Sequence, residues 1–195
     1  MTNADQSQST PLLFIQGGGE GAHDADARLV ASLRRELGAG YDVRFPRMPN
    51  ESDAPYDLWS DVIASELARM GDGAILVGHS IGASVLIKWL TEVTPKQRLA
   101  AAFLIAAPFW HDHDIWRWKE VELPRDASAR LPRGLPVFFY HGTHDEVVPV
   151  AHVEMYERAF PAAHIRRING RNHQLDDNLA EVARDIRSLA GAPCS

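Results

Sequence analysis

A serine, an aspartate and a histidine stand in this chain in an order and setting that would activate a hydroxyl as a nucleophile. Ser80 lies within Gly78-His79-Ser80-Ile81-Gly82, which reads G-x-S-x-G. The apolar run Ala74-Ile75-Leu76-Val77 precedes it, and a helix-like run over 83–90 follows. A strand that turns sharply into a helix lifts a serine hydroxyl above the sheet edge, at the positive end of the helix. Glycines suit the flanks because such a turn brings backbones together, where side chains would clash. Serine is a poor nucleophile until a base takes its proton. Histidine does this near neutral pH, and a carboxylate orients the histidine. The apolar run 137–140 leads into His141-Gly142-Thr143-His144-Asp145, and the run 165–168 leads into Asn169-Gly170-Arg171-Asn172-His173. The chain order is therefore Ser80, Asp145, His173.

The elements that must carry these residues alternate along the chain. Apolar runs at 12–15, 74–77, 101–106, 137–140 and 165–168 read as buried strands, and Tyr41, Val43 and Phe45 alternate as in a further strand. Helical spacing appears over 26–37, 56–70, 83–90 and 150–160. It returns in Leu175, Leu179, Val182, Ile186 and Leu189. This alternation predicts an α/β fold: a mostly parallel central sheet with helices on both faces and a minimal lid. Functional loops then sit at the carboxyl ends of the strands. Residues 1–10 read as a disordered tail and 11–195 as one domain. Within it, 108–134 is long for a connection and reads as a lid or insert loop.

Composition narrows the function. The 195 residues carry 20 Lys plus Arg against 26 Asp plus Glu, a net charge of −6, with no basic block. Nucleic acid is not expected as the partner. No apolar run approaches a membrane span, and the polar N-terminus has no signal-peptide core. A single cysteine, Cys194, leaves no intrachain disulfide and fits a reducing cytoplasm.

On four motifs the chain resembles the α/β-hydrolase superfamily. They are the Gly17-Gly18-Gly19 turn, the Gly78-to-Gly82 elbow, the segment from His141 to Asp145, and Gly170-Arg171-Asn172-His173. More narrowly it is similar to the compact, cap-poor serine hydrolases grouped with retinoblastoma-binding protein nine, on its short length and on Ala107-Pro108-Phe109-Trp110. The resemblance implies Ser80 as nucleophile, His173 as general base and then acid, and Asp145 as the orienting acid. It implies an oxyanion hole made by the backbone N–H of Ile81 and a second N–H in the glycine turn, that of Gly18. Gln16 stands where many relatives carry histidine. The reaction so implied is hydrolysis of a small or short-acyl ester through an acyl-enzyme, carboxylesterase-like, on a small-molecule acyl substrate, with no cofactor and no metal.

Other assignments compete at several positions. Glu146 could replace Asp145 as the acid, and His141, His144 and His164 compete with His173, although neither His141 nor His144 follows the last strand. His79 beside the nucleophile reads as structural. His111-Asp112-His113-Asp114 offers alternating metal-ligand types, but nothing else in the chain completes a site, so a surface loop is expected. Trp110 and Trp116 could wall the substrate pocket or simply pack over the sheet edge. Gly17-Gly18-Gly19-Glu20-Gly21-Ala22 also fits a dinucleotide fingerprint, with Arg47 placed to meet a 2′-phosphate. A binding protein that keeps hydrolase architecture without strong turnover is the other alternative.

Overall fold

In a computed structural model, which describes residues 9–111 and 115–189, strands and helices alternate as the sequence predicts. The order is β1 (Thr10–Ile15), α1 (Ala22–Leu37), β2 (Tyr41–Arg44), α2 (Tyr56–Ala68), β3 (Ala74–His79), α3 (Ile81–Glu92) and β4 (Leu99–Ile105). There follow α4 (Ala127–Arg130), β5 (Val137–Gly142), α5 (Ala151–Ala159), β6 (His164–Ile168) and α6 (Ala180–Leu189). The six strands form one sheet in the order β2-β1-β3-β4-β5-β6, and every pairing is parallel. This is the α/β-hydrolase arrangement.

The two-residue period of the strands divides their side chains between two cores. Leu13, Ile15, Leu76, Leu104 and Phe139 face α2, α3 and α5, where Trp59, Ile63, Leu86 and Tyr156 are buried. Leu12, Phe14, Val77, Phe103 and Tyr140 face α1 and α6, packing on Leu29, Leu33, Val182 and Ile186. Burial on both faces explains why β3 and β5 read as unbroken apolar runs. Among the described residues no helix is long and apolar enough to cross a membrane.

Most boundaries shift by one or two residues, and three departures from the sequence reading have a physical reason. Thr10, placed in the tail, pairs with Tyr41 and opens β1. Helix α1 begins at Ala22, not Asp26, because Asp26 does not cap the helix: its side chain turns inward and is buried. The last apolar series is broken. Leu175, Asp176 and Asp177 all have positive φ, and Asn178 Oδ1 then accepts the N–H of Ala180 to start α6. Leu175 and Leu179 still reach the core, so the spacing looked helical where the backbone is not. Asp112, His113, Asp114 and Cys194 lie outside the described residues.

Candidate active site

Ser80 sits between β3 and α3 with φ 50° and ψ −123°, a backbone conformation that L side chains rarely adopt. Strain of this kind costs about 1–3 kcal/mol and persists only where the surroundings over-determine it. Ser80 N–H donates to the Ile105 carbonyl at 2.8 Å, and the Ser80 carbonyl accepts from Ala83 and Ser84. The neighbouring glycines are required by contact. A Cβ on Gly78 would lie 2.7 Å from Ala83 Cα, and one on Gly82 would lie 2.1 Å from the Gln16 carbonyl oxygen.

The loops after β5 and β6 meet Ser80 in space. His173 Nε2 is 3.1 Å from Ser80 Oγ, and His173 Nδ1 is 2.8 Å from Asp145 Oδ2. Asp145 Oδ1 accepts the N–H groups of Val147 and Val148 at 2.9 and 2.8 Å. Burial opposes ionisation of Asp145, but the hydrogen bond from His173 and the two backbone donors outweigh it, and its pKa lies below the ordinary carboxylate value. An ionised Asp145 needs the proton on His173 Nδ1, which leaves Nε2 free to accept the serine proton.

The competing residues take other places. Glu146 is exposed and reaches only the His173 backbone N–H, at 3.4 Å. His141 Nε2 donates to the Val148 carbonyl at 2.8 Å and so fastens the loop after β5; burial pushes its pKa down. The backbone N–H of His144 donates to the Arg171 carbonyl, joining the loops after β5 and β6. His164 stacks on Phe138. His79 is buried between Asp26 and the His173 carbonyl.

The glycine turn after β1 lies against the elbow: a Cβ on Gly17 would touch Ser80 Cβ, and one on Gly18 would meet the Ile81 side chain. Gly17 N–H donates to Asp26 Oδ2 at 2.7 Å, and Gly19 N–H to the Glu51 carbonyl at 2.6 Å. Between them, Gly18 N–H has no acceptor among the described residues. Ile81 opens α3, where first-turn N–H groups find no carbonyl of their own helix. Gln16 is fully buried and shapes this turn, donating to Glu51 Oε2 at 2.7 Å and accepting from Met48 N–H at 3.0 Å. Glu51 also receives the N–H groups of Gly21 and His23. Arg47 pairs with Asp24 at 2.6 Å and approaches Glu51 at 3.7 Å. Two N–H groups that a pyrophosphate would need are thus held by protein acceptors, and Arg47 is already paired.

A pocket of about 320 Å³ opens over Ser80, walled by Pro108, Trp110, Trp116, Val147 and Val148. Trp110 packs edge-on against Trp116 at 5.6 Å and Trp118 at 5.4 Å between ring centres. The segment is pinned below: the Pro108 carbonyl accepts from Ser84 Oγ and Tyr156 OH, and Phe109 N–H donates to His152 Nδ1 at 2.9 Å. Burial, then the nearby His141 and His111, push the His152 pKa down to about 4, so that nitrogen stays an acceptor. Among the described residues no group of three His, Cys, Asp or Glu side chains could hold a metal.

Sequence reasoning missed Asp26, Glu51 and His152. Asp26 did leave a signal, since it falls on the apolar line of α1 with Leu29, Val30 and Leu33, where a carboxylate has no reason to be without partners. Glu51 and His152 left none: Glu51 gathers the N–H groups of Gly21 and His23 and the Gln16 amide, and His152 takes the Phe109 N–H, partners that no spacing rule connects to them.

The serine hydrolase family model matches residues 31–174, which include Ser80, Asp145 and His173. The chain belongs to the serine hydrolase family. No curated protein matches this serine hydrolase by sequence. Its fold is shared with solved structures of low identity. One is the meta-cleavage product hydrolase (CumD) of Pseudomonas fluorescens IP01, with TM-score 0.70, 15% identity, and 94% of this chain and 91% of that chain covered. Another is Est1E of Butyrivibrio proteoclasticus, with TM-score 0.69, 15% identity, and coverage of 96% and 91%. A third is the esterase RhEst1 of Rhodococcus sp. ECU1013, with TM-score 0.68, 19% identity, and coverage of 96% and 92%.

Proposed function

We propose that this serine hydrolase cleaves small or short-acyl esters through a Ser80–His173–Asp145 triad and an acyl-enzyme. The observation that carries the reading is the unbroken chain of contacts from Ser80 Oγ to His173 Nε2 and from His173 Nδ1 to Asp145. His173 takes the Ser80 proton as Oγ attacks the acyl carbon. The N–H groups of Ile81 and Gly18 receive the oxyanion, and each such donor is worth on the order of 10²–10³ in rate. His173 then protonates the departing alcohol, and water, deprotonated by the same imidazole, releases the acid. A pocket of about 320 Å³ is at the small end for ligand sites, and its tryptophan, valine and proline walls favour a short apolar acyl group. No lysine or arginine lines it among the described residues, so an anionic substrate would lack a counter-charge.

The test is hydrolysis of p-nitrophenyl acetate and butyrate, with fluorophosphonate labelling, by wild type, Ser80→Ala and His173→Ala. Turnover should fall by at least about 10³-fold in both variants, and labelling should vanish in Ser80→Ala. A folded wild type that neither turns over nor labels would overturn the reading in favour of a binding protein.

A further inference from the structure

Behind the triad lies a second carboxylate–imidazole pair that the reaction does not use directly. His79 Nδ1 is 2.9 Å from Asp26 Oδ1 and 3.0 Å from Oδ2, and Nε2 is 3.2 Å from the backbone carbonyl of His173. Asp26 is 1% exposed and His79 2%. Asp26 also accepts Gly17 N–H at 2.7 Å and Gln174 Nε2–H at 3.1 Å. The His79 and His173 rings lie 4.9 Å apart.

These contacts fix a proton count. The His173 carbonyl can only accept, so His79 Nε2 carries a hydrogen. The two amide nitrogens can only donate to Asp26. The remaining contact, Nδ1 to Asp26, then needs a proton of its own, whichever partner holds it. The pair thus retains one proton more than a neutral imidazole beside a carboxylate. Losing it would set a nitrogen lone pair against an oxygen in a dry interior, where an unmade hydrogen bond is costly.

Resting on the triad reading, we propose that Asp26 and His79 are positioning residues whose retained proton holds three parts of the catalytic centre in register. The oxyanion turn is held through Gly17, the nucleophile elbow through His79 itself, and the base loop through the His173 carbonyl and Gln174. The titratable groups that face the pair are His173 and Asp145, on the loops after β6 and β5, with Glu20 on the same pocket wall. Burial opposes a charged His79, but the charge and hydrogen bond of Asp26, the His173 carbonyl and the charge of Asp145 outweigh it and raise its pKa. Burial likewise opposes a charged Asp26, and His79, Gly17 and Gln174 outweigh it and lower its pKa. The network therefore keeps its proton to higher pH than an ordinary imidazole would, and unloads as pH rises through the raised value.

Two measurements test this. The first is kcat and KM against pH for wild type, Asp26→Asn and His79→Gln, normalised to active sites counted by fluorophosphonate labelling. Both variants should lose roughly 10- to 100-fold in kcat with KM within about twofold, because a shift of the reacting groups acts on the transition state. The wild-type decline on the alkaline side should flatten in both. The second is nitrogen-15 NMR of the His79 ring, which should show both nitrogens protonated well above the pH at which an ordinary imidazole titrates. Normal kcat per labelled site in the variants, or a His79 ring that loses its second proton in the ordinary range, overturns the proposal. An inactive, unlabelled wild type would instead sink the triad reading, and the positioning role with it, while the NMR result still decides the retained proton.

Discussion

On the proposed triad, substituting Gly142 by alanine should disable His173 as base without touching any group that meets substrate. Gly142 ends β5, and a Cβ there would lie 2.2 Å from the Arg171 carbonyl oxygen and 2.7 Å from that of Asn172. Its φ is not positive, so the effect is one of contact alone. Ordinary contact begins at 3.4 Å, so the base loop must retreat by more than an ångström. That carbonyl is also the acceptor for His144 N–H, which ties the base loop to the acid loop. A retreat of this size stretches the 3.1 Å contact between His173 and Ser80 beyond hydrogen-bond length. A misplacement of about 1 Å costs roughly 10²-fold, and loss of general-base help about 10²–10⁴, so kcat should fall by about 10²–10³. Overpacking of this kind costs about 2 kcal/mol, which lowers Tm by roughly 4–8 °C in a chain of this length. The assay is kcat, KM and fluorophosphonate labelling rate beside a thermal melt. Gly40→Ala, where a Cβ would meet nothing within 4 Å, serves as the control. A folded Gly142→Ala with kcat within about threefold of wild type would refute the claim that this contact sets the position of the base.

Two further outcomes follow from residues that hold the site without entering it. Glu51→Ala removes the acceptor shared by Gln16, Gly21 and His23, so the oxyanion turn should lose its shape; kcat and labelling rate should fall together by about 10-fold or more, and equal labelling by wild type and variant would count against that role. His152 carries a pKa depressed to about 4, so the unfolded chain takes up its proton first as pH falls below 6.5. Stability should therefore decline between those two values, by on the order of 3 kcal/mol. Melting curves across that range should show a shallower decline in His152→Asn, and parallel declines would exclude His152 as the source.

The layout of this protein was legible because each chemical motif directly follows an apolar run, and a parallel sheet gathers the carboxyl ends of its strands on one side. That is why Ser80, Asp145 and His173, far apart in sequence, could be grouped before any distance was known. Periodicity failed where a side chain served a tertiary partner. Asp26 looked like the start of a helix and is instead buried within it, answering to Gly17, His79 and Gln174. Leu175 kept the beat of a helix while its backbone took a left-handed turn, since the core constrains where a leucine ends up and not how the chain delivers it. Gln16 marked a departure from the superfamily pattern, and its meaning needed Glu51 and Met48, which no spacing rule connects to it.

The loop that carries His173 hangs from β6, one of the two edge strands of the sheet, which pairs with β5. Carboxylates on two helices tie that edge down: Asp185 of α6 accepts from Tyr140 OH on β5 and from Arg166 on β6, and Glu157 of α5 accepts from Arg167 on β6. Edge elements open at lower free energy than the interior of a sheet. Thermal tolerance of activity is then set at a margin of the molecule, where a helix latches a strand, and not by the depth of the central core. Reinforcing the β3–β4 interior would leave that margin as it is, whereas strengthening the helix ties to β6 should lengthen working life at high temperature.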